Sequence, residues 1–109
     1  MTDADDSFTL YDLRVVVDAI SGTCTCGLQV GDAFELRGGT LTTSQSGFCV
    51  FALQSTLPLL PAKQRPLQPN DWMATDSRIH CPDPACGTIL RVERIAERSF
   101  RHSDVSAQT

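Results

Sequence analysis

The longest alternation of apolar and polar residues lies near the start of the chain and predicts a β-strand over Phe8–Ile20. Such alternation places one set of side chains on each face of a strand. A strand of this kind requires a sheet with one face packed against other elements and the other face at least partly in water. The packed face should carry Tyr11, Leu13, Val15, Val17 and Ala19.

Three further segments have the pattern of strands, and glycines mark the turns between them. They are Ala33–Arg37, Thr40–Thr43 after a Gly38-Gly39 turn, and Thr88–Ile95. A glycine pair between two alternating segments is typical of a β-hairpin. From Ala96 onward we expect a short helix or a tail.

The spacing of apolar residues changes from two to three or four in the middle of the chain, which predicts a helix. Ser46 is a candidate N-cap, and Cys49 would then lie in the first turn. Pro58 and Pro61 should end or kink this helix. Residues 61–71 contain three prolines and are expected to form a loop leading to Trp72.

Together these segments predict an α+β fold, a small antiparallel β-sheet with one main α-helix packed on one face. A chain of 109 residues is long enough for a single domain and too short for a second independent core. We expect one domain over residues 1–109 with its core at about 8–98. The ends, 1–7 and 101–109, are polar and are expected to be disordered.

The charge balance and the chain start exclude several partners. Thirteen acidic residues outnumber nine lysines and arginines, giving a net charge of −4; nucleic acid is therefore not expected as a partner. No apolar run is long enough to cross a membrane, and the acidic first residues differ from a signal peptide. We therefore expect a cytoplasmic protein.

Five cysteines are the main source of candidate chemistry, because they lie in loops or at the ends of the predicted elements. In a reducing cytoplasm such cysteines are packed, reactive or bound to metal more often than they form disulfides. Cys49 near a helix N-terminus would favour the thiolate. Cys81 has Asp83 two residues further on, so Cys81, Asp83 and Cys49 are the candidate catalytic residues.

Two other interpretations of the cysteines stay open. Cys24, Cys49 and Cys81, with Cys26, Cys86 or His80 as further ligands, could hold zinc or an iron centre. Alternatively the cysteines are small packed hydrophobes, which we expect in particular of Cys26 and Cys86.

The candidate substrate-binding residues are Trp72, Arg91 and Phe51. No nucleotide-binding motif is present, and no organic cofactor is expected.

Several motifs together resemble a family of short bacterial proteins that has no established activity. The matching residues are Cys24-Thr-Cys-Gly27 with Gly31-Asp32, Gly47-Phe-Cys49-Val-Phe-Ala52, Trp72, Cys81-Pro-Asp-Pro84 and Arg91-Val-Glu-Arg-Ile95. The resemblance covers roughly residues 9–96. It implies that Cys24, Cys49, Cys81 and Asp83 converge. Leu28 stands where the family often has a histidine, and Cys26 and Cys86 lie outside the pattern.

The sequence thus favours a small enzyme-like protein of bacterial biosynthesis, with specialised metabolites among the candidate products. It would bind a small, partly apolar molecule and use cysteine and aspartate for acid–base or nucleophilic chemistry of the isomerase, cyclase or lyase type. The alternatives are a metal-binding thiolate protein with a structural or redox role and a non-catalytic partner subunit. The oligomeric state is not predicted.

Overall fold

The fold is built on two long strands that pair antiparallel along their length, Ser7–Ile20 (β1) and Thr88–Arg101 (β5). The computed structural model describes residues 5–43, 45 and 47–108. Three shorter strands complete a five-stranded sheet of order β3-β2-β1-β5-β4. They are Ala33–Arg37 (β2), Thr40–Thr43 (β3) and Arg78–His80 (β4). All neighbouring strands are antiparallel, which confirms the predicted antiparallel sheet of an α+β fold.

The helices are short, so the prediction of one main helix is wrong. They are Val50–Thr56 (α1), Leu60–Lys63 (α2), Trp72–Thr75 (α3) and His102–Val105 (α4). α1 begins at Val50 with Cys49 as its N-cap, and the predicted cap Ser46 lies outside the described residues. The helix starts late because Phe48 is held against the sheet, where its ring packs edge-on against Phe34 with 5.1 Å between centroids.

The proline-rich segment is partly helical, contrary to the prediction of a loop over residues 61–71. Pro61 lies in the first turn of α2, where the missing N–H costs no hydrogen bond and the fixed φ suits a helix. Lys63 at the end of α2 is buried, and its Nζ donates to the carbonyls of Met73, at 2.9 Å, and Asp76. These bonds tie α2 to α3 across the segment between them.

The core lies on the face of the sheet predicted from the alternation in β1. Leu13, Val15 and Val17 are at most 1% exposed, and side chains from the helices and loops cover them. The covering and neighbouring buried residues are Leu28, Phe34, Cys49, Ala52, Leu60, Cys81, Cys86, Leu90 and Val92. Three of the five cysteines therefore belong to the core.

Two β-bulges interrupt the pairing of β1 with β5. Asp18 has no partner in the register between Val17 and Ala19, and Ile95 has none between Arg94 and Ala96. An extra residue reverses the alternation beyond it. Ala19 is therefore exposed, although the sequence pattern placed it on the packed face.

Beyond the Ile95 bulge, β1 and β5 continue as a two-stranded ribbon of residues 7–12 and 96–101. The predicted change to a helix or tail at Ala96 is wrong, since pairing with distant residues keeps this polar segment extended. Phe8 and Phe100 stack on the ribbon with 5.6 Å between their ring centroids.

No helix among the described residues is long and apolar enough to cross a membrane.

Candidate functional site

The site forms where the loop after β1 meets the loop before β5. The N–H groups of Ser21, Gly22 and Thr23 donate to the carbonyls of Gly87, Cys86 and Ala85, at 3.2, 3.0 and 3.1 Å. These three bonds continue the β1–β5 pairing past the ends of the strands. They bring the segment that carries Cys24 and Cys26 against the Cys81–Cys86 turn.

Cys26 lies at the surface because the chain reverses there. The Gly27 N–H donates to the Cys24 carbonyl at 3.4 Å, and Gly27 has a φ of 81°, which glycine adopts without strain. Cys26 is exposed and Cys24 is half-buried. The expectation that Cys26 is a packed hydrophobe is therefore wrong, because this turn directs it outward.

Cys49 occupies the N-cap position of α1, with φ −61° and ψ 122°. Burial raises the pKa of its thiol, but the Cys26 thiol and the backbone N–H groups of Ala52 and Phe51 act in the opposite direction and leave the pKa lowered overall. The sulfur makes no cap hydrogen bond, so these N–H groups act through their electrostatic field. Cys49 is therefore the cysteine whose thiolate is stabilised.

Cys26 and Cys49 line the same cleft, and each thiol influences the pKa of the other. The interaction with Cys49 is the largest influence on Cys26 and, with the nearby thiols of Cys24 and Cys81, raises its pKa to about 11. The two shifts have opposite signs because one thiol keeps its proton and presents it to the other sulfur. Of the two thiols, Cys49 is therefore the one that loses its proton at the lower pH.

Cys81 and Cys86 are neighbours on the buried side of the site. Burial, the largest influence, raises the pKa of Cys81, and the thiols of Cys86 and Cys49 act in the same direction. The Cys86 sulfur is 2.7 Å from the Thr88 hydroxyl oxygen, and Cys86 is only 4% exposed, in line with the expectation that it is packed. Because its pKa is raised, Cys81 is a weaker nucleophile than Cys49 at neutral pH.

A cleft of about 540 Å³ opens in front of the Cys26–Cys49 pair, and we call it the cysteine cleft. Apart from the two cysteines, its lining is mixed: Leu28, Phe48 and Val50 are apolar, and Gln45 is polar. Leu28 is 7% exposed. Asp32 is also at the cleft, where its carboxylate accepts the Gln29 N–H at 2.9 Å.

Asp83 does not line the cysteine cleft. With Phe51 and Pro82 it lines a separate cavity of about 310 Å³. Its carboxylate accepts the Ala85 N–H at 3.0 Å, so it shapes the turn, and its charge raises the pKa of Cys49. The structure therefore brings the candidate residues Asp83, Phe51 and Cys49 to the start of one helix.

The remaining two candidates lie elsewhere. Trp72 begins α3 and is 63% exposed, and it does not line the cysteine cleft. The Arg91 guanidinium forms ion pairs with Asp18 and, at 3.3 Å, with Glu93. Its charge is thereby engaged within the sheet.

Electrostatic influence links Cys26 to the thiols of Cys24, Cys49 and Cys81, and links Cys81 to Cys86. Within residues 5–43, 45 and 47–108, however, no group of three or more histidine, cysteine or acidic side chains has an arrangement suited to holding a metal ion. Cys26, which sequence reasoning assigned to packing, is the residue most clearly missed. The glycine that follows it was the available signal, because it predicts a turn.

Comparison with protein-family models, with curated proteins and with solved structures finds no match to this chain.

Proposed function

We propose that the protein is a small cytoplasmic enzyme that binds a small, partly apolar electrophile in the cysteine cleft and attacks it with the Cys49 thiolate. The observation that carries the proposal is the position of Cys49 at the start of α1, at the wall of the cleft that Cys26 also lines. A thiolate is the nucleophilic form of cysteine. The apolar part of the lining, Leu28, Phe48 and Val50, fits the non-reacting part of such a molecule.

The other candidate residues have supporting roles in this proposal. Cys81 is a proton-holding thiol, which suits a general acid better than a nucleophile. Asp83 contributes negative charge beside Cys49 and limits how far its pKa falls. Addition of Cys49 to an electrophilic carbon followed by proton transfer accounts for isomerase, cyclase or lyase chemistry without an organic cofactor.

The proposal is tested by competition between the five thiols for a small alkylating reagent. The folded, reduced protein is treated at pH 7 with less than one equivalent of iodoacetamide, and the modified cysteine is identified by peptide mass spectrometry. We expect Cys49 to react first, although it is 8% exposed and Cys26 is at the surface. Preferential labelling of Cys24 or Cys26 in the native protein, with Cys49 inert, would refute the proposal.

A second candidate function is a thiolate metal centre, which the convergence of Cys24, Cys49 and Cys81 favours. Zinc and iron both accept several thiolates, and binding here would require the sulfurs to move from the positions described above. Metal analysis of protein purified under anaerobic conditions without chelator tests it. One equivalent of zinc or iron per chain supports the metal centre, and a folded protein without either metal eliminates it.

A further inference from the structure

We propose that Cys26 and Cys49 form a thiol–disulfide exchange pair that reduces a low-molecular-weight disulfide entering the cysteine cleft. Cys49 is the attacking sulfur and Cys26 the resolving sulfur. The inference rests on the proposed function in one respect, that Cys49 is the reactive thiol. It goes further by naming a substrate class and a second reacting residue.

The position of the two sulfurs carries the inference. They are 23 positions apart in sequence, yet the turn at Gly27 and the start of α1 place them together at one cleft. Both line the same open cleft, so a molecule that reaches Cys49 is also next to Cys26. A reactive cysteine beside an accessible second cysteine is the arrangement that thiol–disulfide exchange requires.

The reaction proceeds in two balanced steps. The Cys49 thiolate attacks one sulfur of a disulfide R–S–S–R′; the bond between the two substrate sulfurs breaks, a Cys49–S–S–R mixed disulfide forms, and R′–S⁻ leaves and takes a proton from water. Cys26 then gives up its proton and attacks the Cys49 sulfur, so that RS⁻ leaves and takes up a proton. The substrate gains two electrons, and the two cysteines lose them in forming one disulfide.

The other cysteines are less suited to the second step. Cys24, Cys81 and Cys86 do not line the cysteine cleft. Cys86 is also engaged with the Thr88 hydroxyl. Cys24 is half-buried and packs against the core. It lies two residues from Cys26 on one loop, which makes it the matched control.

The experiment uses oxidised glutathione as the probe. The full-length, reduced protein is mixed with it in the absence of oxygen, the reaction is quenched with acid, and products are measured by mass spectrometry. The wild-type chain should release two glutathiones and contain a Cys26–Cys49 disulfide. Cys26→Ser should release one glutathione and retain the other on Cys49, a difference of one glutathione per chain. Cys24→Ser should behave as the wild type.

Three results would overturn the exchange pair. The first is a disulfide that includes Cys24 in the wild-type protein, and the second is a mixed disulfide on Cys49 that persists although Cys26 is present. The third is the absence of any reaction with oxidised glutathione. If iodoacetamide labels Cys49 first in the same preparation, the proposed function stands and only the exchange pair is refuted. If Cys49 is inert to both reagents, both proposals fail.

Discussion

The chemistry of the site depends on single residues that let two loops approach closely. The loop after β1 and the loop before β5 come very close together at Gly22. A Cβ at this position would lie 2.0 Å from the Ala85 carbonyl oxygen and 2.9 Å from that of Cys86. Both atoms belong to backbone, which cannot rotate away as a side chain can. The absence of a side chain at Gly22 is therefore what permits the cysteine loops to join.

Gly22→Ala should destabilise the protein by about 2 kcal/mol or more, since overpacking against backbone forces the two loops apart. For a domain of this size we expect a fall in Tm of roughly 8 °C or more. Gly39→Ala is the matched control, because a Cβ at Gly39 would have nothing within 4 Å. Thermal unfolding followed by circular dichroism measures both, and equal Tm values for the two variants would contradict this account.

At the scale of elements, the sequence pattern predicted the strands whose conformation depends on neighbouring residues in the chain. The alternation in β1 and the Gly38-Gly39 turn predicted β1, β2 and β3 with nearly correct ends. Residues 96–101 and β4 could not be predicted in this way, because their strand conformation comes from pairing with distant residues. The late start of α1 has the same cause, since the Phe34–Phe48 contact joins residues that are far apart in sequence.

The end of β5 is joined to the start of β1 through Asp6. Its carboxylate accepts the Ser103 N–H at 3.0 Å and pairs with Arg101 at 3.1 Å. The Ser103 backbone N–H, followed by the Ser103 side chain and Arg101, lowers the pKa of Asp6 to about 2. α4 is thereby held against the first described residues of the chain.

We predict an acid-dependent loosening of α4. Since the pKa of Asp6 is lowered from its ordinary value of 3.8, its contribution to stability is complete above about pH 4 and disappears as the pH falls through 2. The Ser103 amide resonance, followed by NMR, should titrate with a midpoint near 2. Asp6→Asn should abolish this titration, whereas Asp104→Asn on the same helix should retain it; a midpoint near 4 in the wild type would contradict the prediction.

At the scale of the whole molecule, the long β1–β5 pair gives the chain an elongated shape. The Cα radius of gyration is 16.1 Å, whereas a compact chain of this length has a radius of about 13 Å. The ribbon of residues 7–12 and 96–101 accounts for part of the difference, because most of its β5 side chains are exposed. The ribbon should therefore open with a lower free energy than the rest of the two long strands.

Native-state hydrogen exchange should show this distribution. Hydrogen-bonded amides within Leu13–Val17, which have strands on both sides, should exchange at least about tenfold more slowly than those of Ser7–Leu10, a difference of about 1.4 kcal/mol. Phe8→Ala removes the stack on Phe100 and should increase exchange in the ribbon alone. Uniform protection along β1 would contradict a separately opening ribbon.

The sequence indicated that the cysteines lie in loops and at the ends of elements, but it did not indicate that Cys26 and Cys49 line one cleft. Which sulfurs meet depends on the Gly27 turn and on the residue at which α1 begins. A shift of α1 by one residue would turn Cys49 by about 100° around the helix axis. The pairing therefore needs the tertiary structure.

The Cys26 thiol stabilises the thiolate of Cys49, and the pH dependence of Cys49 alkylation measures this effect most directly. In the wild-type protein, the rate of labelling at Cys49 should rise with a midpoint below the ordinary value of 9.0. Cys26→Ala should raise that midpoint, and Cys26→Ser, which keeps a hydrogen-bond donor, should restore much of the shift. A midpoint at or above 9.0 in the wild type, or the same midpoint in all three proteins, would contradict the account.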